Sequence, residues 1–504
     1  MDIYKQMDIY KQSEIWFITG AQLLYGGETV RQVDAHSQAI VDGLNGSGKL
    51  PLRVVYKGTV NSTEEVTNLF RQANVDPACV GVVTWMHTFS PAKMWIHGLK
   101  SYQKPLLHLH TQFNREIPWS DMDMDYMNLN QSAHGDREFG YIVSRLRKNR
   151  KIVVGFWQDD SVQTQIGSWM RVCAAWADQQ TLKILRFGDN MNNVAVTDGD
   201  KVEAEARLGY HVDYAPVGDL VEIMRSVTDA EIADLVGQYE QDYDLAPNAA
   251  ENGADRNQVI EAAREELAIR KILALKGAKA FTTNFDALHG LNQLPGLAAQ
   301  RLMADGYGFG AEGDWKTAAL VRLFKVMGFG LPGGSSFLED YVLHFKGDGA
   351  ILQAHMLEVC PTIADDRPRL EVHPLGIGGK ADPARLVFTA HEGRGLAATI
   401  VDLGNRFRMI VNKVDCKRPE ADLPNLPVAR AFWKPEPNLA IGAGSWILCG
   451  GTHHTAFSYD LTIDQMSDFA EIADIELIVI DENTEPLRLK ETLRVNEVYY
   501  GWRQ

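Results

Sequence analysis

The 504-residue chain is poor in cysteine and has no long apolar run. Its five cysteines lie far apart and form no C-x-x-C pair, so a compact disulfide framework is excluded and a reducing cytoplasm is favoured. No apolar run approaches the ~18 residues of a membrane span, and the first residues lack the basic-then-apolar pattern of a signal peptide. The sequence therefore predicts a cytoplasmic protein with no membrane partner.

Basic residues are outnumbered, 50 Lys and Arg against 66 Asp and Glu, and they form no block of five or more. A net charge of −16 disfavours binding to a polyphosphate backbone, so we expect no nucleic-acid partner. The turn TGAQLLYGGE (19–28) after the first β-rich run does not match G-x-G-x-x-G, and no G-x-x-x-x-G-K-[ST] occurs, so nucleotide binding has no local support. A content of 45% hydrophobic residues is ample for a folded globular protein.

The chain opens with an internal duplication, because residues 1–6 and 7–12 both read MDIYKQ. A six-residue repeat is far shorter than the ~20–50 residues of a solenoid unit. We interpret residues 1–12 as a tag-like segment outside the fold, which we expect to begin near Ser13.

Short β-rich runs alternate with helical patterns from residue 14 onward, which indicates β-α units and mainly parallel sheets. The first series predicts an N-terminal α/β domain over residues 13–178. A second series begins at LKILRFGDN (182–190) and predicts a central α/β domain over residues 179–329. In open α/β sheets, ligands bind beyond the carboxyl ends of the strands, so the loops after these strands are the places to search.

The residue pattern changes at the Gly/Pro/Ser cluster FGLPGGSS (329–336). Short β-rich runs follow, SWILCGG (445–451) among them, and they predict a mostly antiparallel barrel or sandwich over residues 330–504. We expect a final helix over 463–473 and a final strand over 476–480.

Four residues of this second half could carry chemistry. Glu312 lies between small residues just before a helix, where a carboxylate either contacts a ligand or serves only the helix start. Glu339 follows a Gly-rich turn and could equally be a solvated acid. His355 has apolar neighbours and could be an ordinary buried histidine. Together with one histidine of the 453–454 pair, they would suit Mn²⁺, Zn²⁺, Co²⁺ or Fe²⁺.

The pair His453-His454 lies in an apolar, Gly-rich stretch that reads as a strand. Successive strand side chains point to opposite faces, so normally only one of the two serves a given site.

Seven sequence words, in order along essentially the whole chain after residue 13, resemble the L-arabinose isomerase family. Such an ordered set of long words is far more specific than any single short motif. The words are HTFSPAKMW (87–95), FGDNM (187–191), GDWKTAAL (313–320), HMLEVCP (355–361), GIGGKADPARL (376–386), WILCGGTHHT (446–455) and NEVYYGWR (496–503).

This resemblance implies the fold, two flavodoxin-like doubly wound α/β domains followed by a C-terminal antiparallel β-barrel domain, as in L-fucose isomerase-like architectures. It implies a bacterial enzyme that interconverts L-arabinose and L-ribulose with one Mn²⁺ per subunit, for which Co²⁺ or another divalent metal could substitute. By local motif, the metal ligands fall on Glu312, Glu339, His355 and His454, the second histidine of its pair. The two acid/base carboxylates are likewise Glu312 and Glu339.

The resemblance further implies sugar contacts and an assembly. The sugar-contacting positions carried over from the family are Gln22, His134, Met191 and Phe285. Relatives form homo-oligomers, hexamers or tetramers, with the site near a subunit interface. Conversion of D-galactose to D-tagatose stays open as a second reaction.

Moving a carbonyl from C1 to C2 of an open sugar requires a proton to leave C2 and a proton to reach C1. Two carboxylates flanking the sugar could move these protons, and a divalent cation would stabilise the enediol oxygens. Two alternatives are an isomerase of another aldose, such as L-fucose, and a non-catalytic sugar-binding protein built from similar α/β units.

Overall fold

The computed structural model describes residues 9–377 and 379–501. Residues 1–8 of the duplicated segment lie outside this range. Ile9–Gln12 form a helical turn, and Ile9 and Tyr10 pack against a buried apolar cluster. Packed structure therefore includes Ile9–Gln12, which the duplication had led us to place outside the fold. Within the described range, no helix is both long enough and apolar enough to cross a membrane.

The chain divides into two compact units, with the boundary between Ala177 and Asp178. The first unit contains a five-stranded parallel sheet in the order β2-β1-β3-β4-β5. Its strands are β1 (Glu14–Gly20), β2 (Arg53–Val60), β3 (Cys79–Met86), β4 (Leu106–His110) and β5 (Lys151–Val154). Its helices are α1 (Ile9–Gln12), α2 (Gly26–Gly46), α3 (Thr63–Val75), α4 (Ile96–Ser101), α5 (Met124–Leu129), α6 (Ser132–Arg145) and α7 (Asp160–Gln179), whose last two residues already belong to the second unit.

Alternation along β1 shows why this sheet is covered on both faces. Ile15 and Phe17 belong to one buried cluster, whereas Trp16 and Ile18 belong to another. Because successive strand side chains point to opposite faces, a strand that is apolar at every position needs a layer on each side.

The second unit starts with a four-stranded parallel sheet in the order β10-β9-β6-β7. Its strands are β6 (Lys183–Phe187), β7 (His211–Ala215), β9 (Ala280–Thr283) and β10 (Gly308–Ala311), with β8 (Asp244–Leu245) in a separate small sheet. The helices of this part are α8 (Lys201–Leu208), α9 (Val217–Arg225), α10 (Asp229–Asp242), α11 (Arg256–Lys276), α12 (Gly296–Ala304) and α13 (Trp315–Met327).

The rest of this unit is dominated by a seven-stranded sheet in the order β15-β18-β11-β12-β17-β16-β19, in which β15 also pairs with β16. Its strands are β11 (Ser335–His344), β12 (Ala350–Ala354), β15 (Gly393–Asp402), β16 (Phe407–Cys416), β17 (Arg430–Pro435), β18 (His454–Ser458) and β19 (Glu476–Ile480). Strands β13 (Arg369–Val372) and β14 (Ala384–Val387) join β8. Helices α14 (Leu439–Leu448), α15 (Ile463–Ala473) and α16 (Pro486–Gly501) complete the unit.

The large sheet is mixed, so the prediction of an antiparallel sheet is only partly correct. β19 pairs in parallel with β16, whereas the other described pairs of this sheet are antiparallel. The helix α15 carries the chain from β18 to β19, and such a crossover allows parallel pairing.

The run SWILCGG is not a strand, because residues 445–448 end the helix α14. The Asn438 side chain caps this helix by accepting a hydrogen bond from the Ile441 N–H at 3.0 Å. In the preceding residues LAIGAG, Ile441 is the only β-branched residue, so the segment has little preference for a strand. The Asn438 cap therefore favours the helix.

All five cysteines are buried, and none of them forms a disulfide. This agrees with the absence of a disulfide framework that their spacing predicted.

A buried ion pair between Arg322 and Asp178 anchors the helix α13 within the second unit. Arg322 is fully buried and donates from Nε and Nη2 to both carboxylate oxygens of Asp178, at 2.8 and 2.7 Å. Its Nη1 donates to the Gly306 carbonyl at 2.7 Å, just before β10. Burial would raise the pKa of Asp178, but Arg322 and Lys279 together hold it below its ordinary value.

Replacing Asp178 by Asn should lower the free energy of unfolding by about 3–5 kcal/mol, because the buried Arg322 cation then loses its compensating charge. Urea unfolding followed by tryptophan fluorescence measures this. Asp160→Asn is the matched control, since Asp160 is exposed and its pair with Lys49 spans 3.5 Å, and it should cost less than about 1 kcal/mol. Equal unfolding midpoints for the two variants would contradict the role given to the pair.

Candidate functional site

Glu312 stands at the carboxyl edge of the four-stranded sheet, where the chain leaves β10. Its backbone has a φ of 59°, which is uncommon for a residue other than glycine. Its carbonyl accepts a hydrogen bond from the Met191 N–H at 3.0 Å. The next residue, Gly313, donates its N–H to the Thr283 carbonyl at 3.1 Å. The loops after β6, β9 and β10 therefore meet and fix the Glu312 backbone in a strained conformation.

Gly313 is required by this meeting of loops. Its φ is +83°, and a Cβ atom there would lie 2.6 Å from the Asn190 Cα. A side chain would need both a disfavoured backbone conformation and the displacement of the neighbouring loop.

Asp314 caps α13 and also holds a histidine. Its side chain accepts a hydrogen bond from the Thr317 N–H at 3.1 Å, and its Oδ2 lies 3.0 Å from the Nδ1 of His454. Burial would raise the pKa of Asp314, but Lys316, His454 and Thr317 lower it to about 2. A carboxylate at Nδ1 places the proton on that nitrogen and leaves Nε2 as the free donor of an electron pair.

The strand β11 places Glu339 between the two histidine-bearing segments. Glu339 is opposite His454 of β18 on one side and opposite Ala354 of β12 on the other, and His355 follows Ala354 directly. Two residues earlier, Phe337 makes edge contacts with the rings of His355 and His454, at centroid distances of 5.2 and 5.1 Å. The register of one strand thus gathers a carboxylate and two imidazoles around a buried phenyl ring.

His355 is oriented in the same way as His454. The carboxylate of Glu358 binds its Nδ1, and its Nε2 lies 3.6 Å from Oε2 of Glu339. Burial would lower the pKa of His355, but the carboxylates of Glu358 and Glu339 outweigh it and raise the pKa.

Side-chain atoms of two residue groups converge closely enough to hold a metal ion. The groups are Glu312, His355 and His454, and Glu339, His453 and His454, and in each the candidate ligand atoms lie within 4.8 Å of one another. The Nε2 of His454 is buried and has no hydrogen-bond partner among the described residues. A buried imidazole nitrogen without a partner, aimed at carboxylates, is the arrangement that a divalent cation satisfies, so the residues fit a metal.

Strand alternation predicts that only one histidine of the pair faces the site, but in the structure both rings lie near its carboxylates. The Nε2 of His453 lies 3.8 Å from Oε2 of Glu312 and 3.9 Å from Oε1 of Glu339. Strand alternation does not apply, because β18 begins only at His454. The carboxylate of Glu312 raises the pKa of His453, and His453 in turn lowers the pKa of Glu312.

The four positions that the family resemblance predicts to contact sugar lie in two places. Met191 bonds to Glu312 through its backbone, and Phe285 lies two residues beyond Thr283 in the loop that receives Gly313. Gln22 and His134 lie in the first unit, Gln22 just before the 3-10 helix Leu23–Tyr25 and His134 in α6.

Sequence reasoning missed Asp314, Phe337 and Glu358. Two signals were present. An Asp three residues before Thr317 is an N-cap pattern, and a Glu three residues after His355 can reach its ring. Neither signal reveals that the carboxylate also serves a histidine, since for Asp314 that histidine is 140 residues away.

Known proteins resemble this chain over its whole length. The L-arabinose isomerase N-terminal, central and C-terminal domain families match residues 9–181, 183–330 and 334–476. Proteins described as L-arabinose isomerase from Bacteroides thetaiotaomicron and Phocaeicola vulgatus are each 61% identical to it, with 97% of both chains covered. One from Geobacillus stearothermophilus is 55% identical, with 97% of this chain and 99% of the relative covered.

Three consecutive matches to domains of one family, together with relatives at this level of identity, assign the chain to that family. The chain belongs to the L-arabinose isomerase family of aldose-ketose isomerases, which interconvert L-arabinose and L-ribulose.

Proposed function

We propose that this chain interconverts L-arabinose and L-ribulose at the centre formed by Glu312, Glu339, His355 and His454, with Glu312 and Glu339 as the proton-transferring pair. One observation carries the proposal. Two buried imidazoles, each held at Nδ1 by a carboxylate, direct their Nε2 atoms to the carboxylates of Glu312 and Glu339.

Glu312, Glu339, His355 and His454 would hold one divalent cation, with Mn²⁺ as the proposed metal and Co²⁺ or another divalent ion as a substitute. The mixed oxygen and imidazole donor set suits these ions. When bound, the cation would polarise the sugar carbonyl and stabilise negative charge on the neighbouring oxygens.

The protein's own groups move the protons. Because its pKa is lowered, Glu312 is ionised at neutral pH and can accept a proton. Glu339, on a different strand, offers a second carboxylate to the same space. One carboxylate takes the proton from C2 and the other delivers a proton to C1, which is an enediol path. Strand register holds Glu339 in place, and the strained backbone holds Glu312.

The finer architecture is part of this proposal. The strand order 2-1-3-4-5 of the first sheet supports a flavodoxin-like domain, and the second parallel sheet repeats the first four positions of that order. The pairing of β15 with β16 supports closure of six strands of the large sheet into a barrel.

We further propose a homo-oligomer, a hexamer or a tetramer, with the site near a subunit interface. Large apolar side chains at Trp119, Leu24 and Phe345 are 83%, 81% and 76% exposed, which suits surfaces that a second copy covers. A cytoplasmic location suits five cysteines that form no disulfide. D-Galactose remains a proposed second substrate.

Glu312→Gln and Glu339→Gln should each lower the turnover number for L-arabinose at least about a hundredfold, because an amide cannot accept the proton. Ketose formation measures turnover, and calorimetry measures sugar binding, which we expect to persist. Asp340→Asn is the matched control, since this neighbouring acid binds Gln353 instead, and its turnover should stay within about threefold of the parent. Full turnover in both glutamine variants would exclude these carboxylates as the proton-transferring pair, whereas sugar binding without ketose formation by the parent would favour the non-catalytic alternative.

Removal of metal with a chelator should abolish ketose formation from L-arabinose, and Mn²⁺ should restore it, because the enediol charge would otherwise be unsupported. The substrates compared with L-arabinose should include D-galactose, L-fucose and D-xylose. Stronger conversion of L-fucose than of L-arabinose would overturn the substrate assignment.

In His454→Ala, metal content after dialysis should fall from one ion per chain toward none. His344→Ala is the control and should keep its ion, because the His344 ring packs on Phe432.

Deuterium at C2 of L-arabinose should be partly or fully replaced by solvent hydrogen in the L-ribulose formed, because a proton held on a carboxylate exchanges with water. Nuclear magnetic resonance of C1 in the product measures the label. Complete retention of deuterium at C1 would replace the enediol path by a hydride shift.

A further inference from the structure

A second buried carboxylate network lies in the first unit, at the carboxyl edge of β3 and β4. Asp136 is only 3% exposed, and its Oδ1 accepts a hydrogen bond from the Met86 N–H at 3.1 Å. The same oxygen lies 2.9 Å from Nε2 of His108, and Oδ2 lies 2.7 Å from Nδ1 of His110. The bond to Asp136 raises the pKa of His110, although burial opposes this. A buried charge with three partners is well compensated and fixes its surroundings.

This network holds the first turn of α6 against the loop that follows β3. The Gln131 N–H donates to the His87 carbonyl at 2.9 Å. A Cβ atom on Gly135 would lie 2.5 Å from the Thr88 carbonyl oxygen, so the helix backbone rests directly on the loop. Asp136 follows in the same turn and reaches the end of β3 through Met86.

The same turn presents His134 on its outer side. His134 is exposed, whereas Asp136, two residues later, is buried. The ring of His134 stacks on Phe89 of the loop after β3, with a centroid distance of 4.5 Å and an angle of 27° between planes. Both supports of the His134 ring, the helix turn and the stacking partner, thus belong to segments that Asp136 ties together.

We propose that Asp136 is a positioning residue for aldose binding, which acts by fixing His134 through the turn of α6 and the loop after β3. This inference rests on the proposed function and on the sugar contact at His134 that the family resemblance implies. Asp136 itself is buried among protein groups and touches no substrate. A residue that orients a sugar contact affects binding in the ground state and in the transition state alike, so its loss appears in KM rather than in kcat.

A double-mutant cycle on the full-length enzyme tests this. Asp136→Asn should raise the KM for L-arabinose about tenfold and leave kcat within about twofold. His134→Ala should raise KM by a similar factor. In the His134→Ala background, Asp136→Asn should change KM by less than about twofold, because the side chain that it positions is already gone.

Three outcomes would overturn the proposal. Asp136→Asn could raise KM equally with and without His134, it could lower kcat alone, or His134→Ala could leave KM unchanged. If Asp136→Asn does not fold, His110→Gln is used in the same cycle, since it removes one partner of Asp136 at a partly exposed position and retains the bonds to Met86 and His108.

Glu205→Gln is the matched control. It breaks a carboxylate–imidazole contact of 2.9 Å with His211 on the exposed surface of the second unit, and KM should not change. Failure of the proposed function is recognised separately, because the parent enzyme would then form no ketose from L-arabinose or would not depend on Glu312.

Discussion

In the candidate metal centre, a carboxylate holds the Nδ1 of each of two buried imidazoles. Asp314 holds His454, and Glu358 holds His355. With the proton fixed at Nδ1, each Nε2 is left to face the central carboxylates, and a rotated ring would lose a charge-assisted hydrogen bond. The rest of the centre depends on these two contacts, because Glu312 and Glu339 have no metal site to complete unless both imidazoles face inward.

The two central carboxylates come from different kinds of structure. Glu339 is held in the middle of β11, with partners on both sides, so its position follows from strand register. Glu312 is held in a strained turn where three loops of a parallel sheet exchange backbone hydrogen bonds. Asp314 belongs to both arrangements, since it caps α13 after this turn and binds a histidine of the large sheet.

Much of the fold could be predicted from local patterns. The helix α15 and the strand β19 were predicted at their observed bounds, because the apolar period and the capping residues agree there. The end of α14 was mistaken for a strand, because short apolar runs do not distinguish the two structures and the deciding cap at Asn438 lies outside the run. Parallel pairing of β19 was missed, since the partner strand β16 is about 60 residues away in sequence.

The sequence by itself determined the family, the α/β character of the chain and the residue types from which a metal centre could be built. Those properties depend on local sequence motifs, periodicity and composition, which can be identified from the amino-acid sequence alone. Only the tertiary structure decided that both His453 and His454 reach the carboxylates, and that Asp314 and Glu358 orient the imidazoles. Some of these contacts join segments at least 140 residues apart, and their geometry follows from strand register and from the meeting of loops, which no local pattern encodes.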